Sequence, residues 1–163
     1  MKKFVLLSML FLLSLPAWTQ QMNNEGLEKI FTEFVDTISG QAGAWEMVVN
    51  DQYIICITDE GHNRMRIIAP IVEVERMNAE ELLKCMEANF HTALDVKYAI
   101  SDGVLWSTFI HPLKELSEGQ VADALAQVYN AAVTFGSSYS STDLFFPGSK
   151  KQEEPPKKGN KKT

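Results

Sequence analysis

The pair Asp102-Gly103, set between two alternating runs, constrains this chain more than any other feature. Both residues tolerate positive φ, the requirement of a two-residue hairpin turn whose twist matches its strands. Before the turn, Val96, Tyr98 and Ile100 fall on one face while Asp95, Lys97 and Ser101 fall on the other. After it, Val104 to His111 returns antiparallel, and Pro112 ends the pairing. The elements before the hairpin belong to the same unit. Arg64 to Glu75 reads as a strand and Asn78 to Thr92 as a helix, with Asn78 and Glu81 spaced as a variant capping box. The periodicity predicts that this helix buries Leu82, Leu83, Met86 and Phe90 and shows Glu80, Glu87 and Lys84 to water.

The rest of the chain reads as packing for that unit. Leu27, Ile30, Phe31, Phe34, Val35 and Ile38 recur at helical spacing, predicting a helix from Asn23 or Asn24 to about Ser39, stopped by Gly40 and Gly43. Ala44 to Asn50 and Gln52 to Thr58 are rich in β-branched and aromatic residues, with a turn at Asn50-Asp51. The loop from Asp59 to Asn63 predicts a hairpin with Gly61 at the positive-φ position. Pro70, inside the next strand, cannot donate a ladder hydrogen bond, so that strand is an edge there or is bulged. Ser117 caps a closing helix to about Phe135, with Val121, Leu125, Val128, Ala132 and Phe135 as its core stripe. Phe145 and Phe146 are expected to tuck back onto the domain. The fold class expected is α+β, an antiparallel sheet with packed helices in the order α-β-β-β-α-β-β-α.

The ends differ from the middle. Lys2 and Lys3 precede an apolar run from Phe4 to Leu15, followed by Pro16-Ala17-Trp18-Thr19, the pattern of a secretory signal peptide over residues 1–20. That run is shorter than the roughly 20 apolar residues a membrane span needs, so an exported periplasmic or extracellular protein is expected rather than one that keeps a membrane anchor. A single domain is expected over 23–148. Residues 149–163 hold six Lys, two Glu and Pro155-Pro156 without an apolar side chain, the composition of a disordered tail. From Gln21 to Ser149 seven basic residues face nineteen acidic ones, a net charge of −12, which argues against nucleic-acid binding. Cys56 and Cys85 are the only cysteines; export permits a disulfide, but their places in a strand and a helix fit small buried side chains.

Arg66-Ile-Ile-Ala-Pro-Ile71, the helix after it, the hairpin from Val96 to Trp106 and the alanine-rich closing helix resemble the YbjN group of the type III secretion chaperone-like (Tir chaperone-type) superfamily. The resemblance covers roughly Glu25 to Gly136. It implies a curved antiparallel sheet with helices packed on it, commonly a homodimer, and the binding of extended segments of partner proteins. Some YbjN-like proteins carry a sensory or regulatory label. Secretion chaperones act in the cytoplasm, whereas this chain carries an export pattern, so their delivery role is not carried over.

No motif for chemistry stands out. His62, His91 and His111 have no metal-ligand spacing, and the chain lacks a G-x-S-x-G, a phosphate-binding glycine loop or a C-x-x-C. Neither cofactor nor metal is expected, and a non-enzymatic protein- or peptide-binding module is the leading reading. The alternatives are a sensory, regulatory or structural envelope protein and, behind it, a hydrolase whose acidic site is assembled in space. The candidate partner-binding residues are Arg64, Arg66 and Pro70. The two arginines share a strand face and can meet a partner's carboxylates or the chain's own acids, and an edge at Pro70 would accept an added strand.

Overall fold

In a computed structural model of the chain, residues 21–143 are described. The segment 1–20, Phe145 and Phe146, and the tail 149–163 lie outside the described residues.

Asn23 accepts the Gly26 N–H at 2.8 Å and starts α1 (Asn24–Phe34). The same turn is tied to the sheet, because Asn24 donates its N–H to Glu60 and its side-chain oxygen accepts from Thr58. Helix α1 ends earlier than its sequence periodicity predicts. Val35 is extended, Asp36 donates its N–H to the Val48 carbonyl, and the Asp36 carboxylate accepts the Asn50 N–H at 2.7 Å. These bonds pull the chain onto the sheet, where it forms an additional strand, β1 (Thr37–Gln41). Gly40 does not stop a helix. It sits at φ +108 opposite Trp45, where an added Cβ would lie 2.3 Å from the Ala44 carbonyl.

The chain then runs through β2 (Ala44–Val49), β3 (Gln52–Asp59) and β4 (Arg64–Glu73). A 3-10 turn (Val74–Arg76) leads to α2 (Ala79–His91), β5 (Lys97–Ser101), β6 (Val104–His111) and α3 (Glu118–Val133). All the strands pair antiparallel in the order β1-β2-β3-β4-β6-β5. The expected α+β class and element order stand, with β1 added before β2. At the hairpin turns, Asn50-Asp51 and Asp102-Gly103 all have positive φ, as primed turns require. In the β3–β4 loop the positive-φ residue is Asn63, not Gly61. Asparagine tolerates that conformation, and here its side chain bridges to Glu115 and the Lys114 N–H.

The strand alternation sends one set of side chains inward. Trp45, Met47, Ile54, Cys56, Met65, Ile67 and Leu105 are buried beneath α1 and α3. Helix α1 supplies Leu27, Ile30 and Phe31, whose ring meets Trp45 edge-on at 5.7 Å. Helix α3 supplies Val121, Leu125 and Val128, and its alanines let it lie close to the strands. Ser107 reaches the Val128 carbonyl at 2.8 Å and Tyr98 reaches that of Ala131 at 2.8 Å, so two polar side chains fix the height of α3 on the sheet.

Pro70 sits where β4 is bulged against β6 and is no longer laddered to β3. Strand β4 lies between β3 and β6, and its register with β6 shifts between Pro70 and Val72. Its ladder with β3 stops at Ile68, and beyond that point the Gln52 side chain donates to the Pro70 carbonyl at 3.1 Å. The sheet edges are β1 and β5. Cys56 and Cys85 are both free thiols and both buried.

Candidate partner-binding surfaces

With α1 and α3 on one face of the sheet, no helix of the described residues covers the other face. Its residues follow from the same alternation: Val48, Tyr53, Ile55, Ile57, Ile68, Trp106 and Ile110. Each is exposed or half-buried, Ile110 at 59 % and Ile57 at 43 %. Ile57, Arg66 and Ile110 stand side by side on three neighbouring strands, at the ~5 Å spacing of cross-strand partners. Tyr53 leans against this surface; partial burial, then a hydrogen bond with Glu46, raises its hydroxyl pKa.

Arg64, Arg66 and Pro70 all lie on this open face of β4. The strand rise separates Arg64 from Pro70 by about 20 Å. Arg64 is opposite Asp59 in the ladder, yet the Asp59 carboxylate is occupied by His62, through its N–H at 2.9 Å and its ring Nδ1 at 2.7 Å. Arg64 instead donates to the Asn63 carbonyl at 3.0 Å. Among the described residues neither arginine forms a salt bridge with a carboxylate. Both guanidinium groups project from an apolar surface toward solvent.

A second apolar surface contradicts the expected orientation of α2. Leu82, Leu83, Met86 and Phe90 were expected in the core; all four are exposed, Phe90 at 85 %. The side turned inward carries Cys85 and Ala88 instead. The cause lies in Asn89. Its side-chain amide donates to the Tyr98 carbonyl at 3.1 Å, and its oxygen accepts the Tyr98 N–H at 2.7 Å. This two-way bond docks α2 beside β5, at the edge of the sheet, and only the small side chains fit against it. Periodicity located the stripe but could not say which side of the helix meets the sheet. The polar Asn89 between small residues was the available signal.

Among the described residues the ionisable groups stay dispersed. The histidines remain apart: His62 is held by Asp59, His111 bonds the Pro112 carbonyl and stacks on Phe109, and His91 meets Phe90 edge-on. Among the described residues no three His, Cys, Asp or Glu side chains come together as metal ligands. A groove of about 580 Å³ between the starts of α1 and α3 is lined in part by Glu25, Lys29 and Glu118. Lys29 holds the Glu25 carboxyl below the usual range by a hydrogen bond and by its charge. That direction is opposite to the raised pKa a carboxylic general acid needs at neutral pH. No helix of the described residues is long and apolar enough to cross a membrane.

No protein-family model and no curated protein matches this chain. Solved structures do resemble it. A chain of the HopA1–SchA chaperone–effector complex superposes with a TM-score of 0.53 at 11 % identity, covering 69 % of this chain and 94 % of that one. The Yersinia pestis type III secretion chaperone SycH, solved in complex with a stable fragment of YscM2, gives 0.52 at 15 % identity, covering 69 % of this chain and 98 % of that one. At these identities the likeness concerns the fold: the chain has the α+β fold of a type III secretion chaperone.

Proposed function

We propose that this chain is an exported, non-enzymatic module of the YbjN-like branch of that fold, which holds an extended segment of another protein against the open face of its sheet. The observation that carries the reading is the face itself. Large apolar side chains stand half-exposed in register across β3, β4 and β6, with Arg64 and Arg66 unpaired by any described carboxylate. A sheet face of this apolar kind, covered by no described helix, is a recognition surface rather than a solvent face. Arginines at one end suit a segment that carries carboxylates beside its apolar residues. The chaperone neighbours support the general reading, since SchA is described with an effector and SycH with a protein fragment. Pro70 keeps a place in the site as the bulge at the far end of the same face, beyond the end of the β3 ladder.

The test is capture of partners from an envelope fraction by the chain from residue 21, beside the double variant Arg64→Glu plus Arg66→Glu. The reading expects the captured band to weaken at least tenfold in the variant, and to weaken also in Ile57→Asp. Equal capture by all three proteins overturns it. Fractionation of the producing cells tests export, and light scattering tests the homodimer that the resemblance implies.

A further inference from the structure

If the open face holds a protein segment, as proposed above, its two ends say what chemistry that segment carries. Along β4 the outward residues are Arg64, Arg66, Ile68 and Pro70. Ile57 and Ile110 flank Arg66, Ile55 and Thr108 flank Ile68, and Trp106 stands opposite Pro70. Tyr53, the next outward residue of β3 after Ile55, lies toward the same end as Trp106. The face thus runs from two guanidinium groups, through aliphatic side chains, to two aromatic rings and a proline.

The polar groups at the aromatic end are already engaged. The Trp106 indole N–H donates to the Ser101 carbonyl at 3.3 Å, and the Pro70 carbonyl accepts from Gln52 at 3.1 Å. The Tyr53 hydroxyl is hydrogen-bonded with Glu46. What this end offers a ligand is apolar contact. The other end is the reverse. A guanidinium carries five N–H donors; Arg64 gives one nitrogen to the Asn63 carbonyl, and among the described residues Arg66 has no hydrogen-bond or ion-pair partner. Both stand on a body of net charge −12 from Gln21 to Ser149. An acidic segment is therefore repelled by the body as a whole and drawn to this end.

We infer that the occupant is an extended partner segment that is acidic at one end and apolar at the other. Two carboxylates at alternate positions lie over Arg64 and Arg66, and apolar side chains at the next two alternate positions lie over Ile68 and over Pro70 with Trp106. The spacing matches. Side chains on one side of an extended chain recur every second residue, about 7 Å apart, which is also the interval between successive outward residues of β4. A segment with its acids interleaved among its apolar residues would set a carboxylate against the aromatic end, where burial without a donor is costly.

Fluorescence titration of the chain from residue 21 with three synthetic peptides of one composition tests this. The first has aspartates, then isoleucines, at alternate positions with serines between, and ends in a bromophenylalanine. The second is the first in reverse order, so that both chain directions are covered. The third interleaves the aspartates with the isoleucines. One of the two ordered peptides is expected to bind about tenfold more tightly than the interleaved one, the worth of two exposed ion pairs. Its brominated end is expected to quench Trp106, and Trp106→Phe to abolish the quenching, because Trp45 is buried. Arg64→Gln plus Arg66→Gln is expected to bring the ordered peptide down to the affinity of the interleaved one. Equal binding of all three peptides, or equal quenching when the bromine is moved to the acidic end, overturns the inference. If no peptide binds while an envelope partner is still captured through Arg64 and Arg66, the segment pattern is wrong and the binding reading stands. Capture indifferent to both arginines removes the two together.

Discussion

Asn89→Ala isolates the bond that decides where α2 sits. The side chain makes two hydrogen bonds to one residue, donating to the Tyr98 carbonyl and accepting the Tyr98 N–H. Removing it leaves both backbone groups of an edge strand without their partner. A net hydrogen bond is worth roughly 1 kcal/mol, and leaving a buried group unsatisfied costs about 1–3 kcal/mol. This site is only part-buried, so water can reach the vacated groups and the lower end applies to each, about 2 kcal/mol together. For a domain of this size that corresponds to a fall in Tm of roughly 8 °C. Asn89→Asp keeps the acceptor but turns a second oxygen toward the Tyr98 carbonyl, so it should recover less than half of the loss at neutral pH. Urea unfolding, with the slope held constant between variants, measures both. A midpoint shift for Asn89→Ala worth less than about 0.5 kcal/mol would refute the reasoning, because the pair would then not be what holds the helix. A second readout is specific to the geometry: the Tyr98 amide should lose hydrogen-exchange protection well before its neighbours in β6.

Two further outcomes follow from local geometry. Gly40→Ala meets the Ala44 carbonyl at 2.3 Å and an unsuitable φ of +108, whereas Gly103→Ala at φ +75 has no atom within 4 Å. The first should cost at least about 2 kcal/mol and the second about 1 kcal/mol in urea unfolding; equal costs would dismiss the clash. For pH, the Asp59 carboxyl is held below its usual value first by the His62 N–H and then by the His62 ring. Its folded pKa being lowered, the contribution is present above the ordinary aspartate value and disappears as pH falls through the lowered one. In a carbon-detected NMR titration, His62→Ala should move Asp59 part of the way back up, since the backbone bond remains; no movement would remove the ring from the account.

Where a local signal carries its own geometry, sequence and structure agree. Asn78 with Glu81 forms a reciprocal cap, Ser117 with Gln120 forms another, and Asp102-Gly103 turns as its residue types require. The alternation of β6 sorts Leu105, Ser107 and Phe109 inward. The failures arise where a tertiary contact decides. Phe34, Val35 and Ile38 extend the helical pattern of α1, yet Asp36 reaches Val48 and Asn50 in another strand pair, and the segment becomes β1. The stripe of α2 was legible as a stripe; its direction depended on Asn89 meeting an edge strand nine residues later. The site shows the same division. The shared face of Arg64 and Arg66 was readable from their spacing. That the acid across from Arg64, Asp59, is occupied by His62 was not, because the loop that delivers His62 has no sequence signature for it.

The two buried thiols give this molecule a chemical clock. Burial raises Cys56 to about 12, and burial together with the charge of Glu81 raises Cys85 to about 11. Thiolate is the form that reacts, so at neutral pH no more than about one molecule in ten thousand presents it at either position in the closed state. Alkylation therefore waits for the protein to open. Cys85 is on the inward side of α2, the helix held at the sheet edge, and Cys56 is in β3, in the middle of the sheet between β2 and β4. Their labelling rates separate two events on one chain: the lifting of α2, and the loss of the fold.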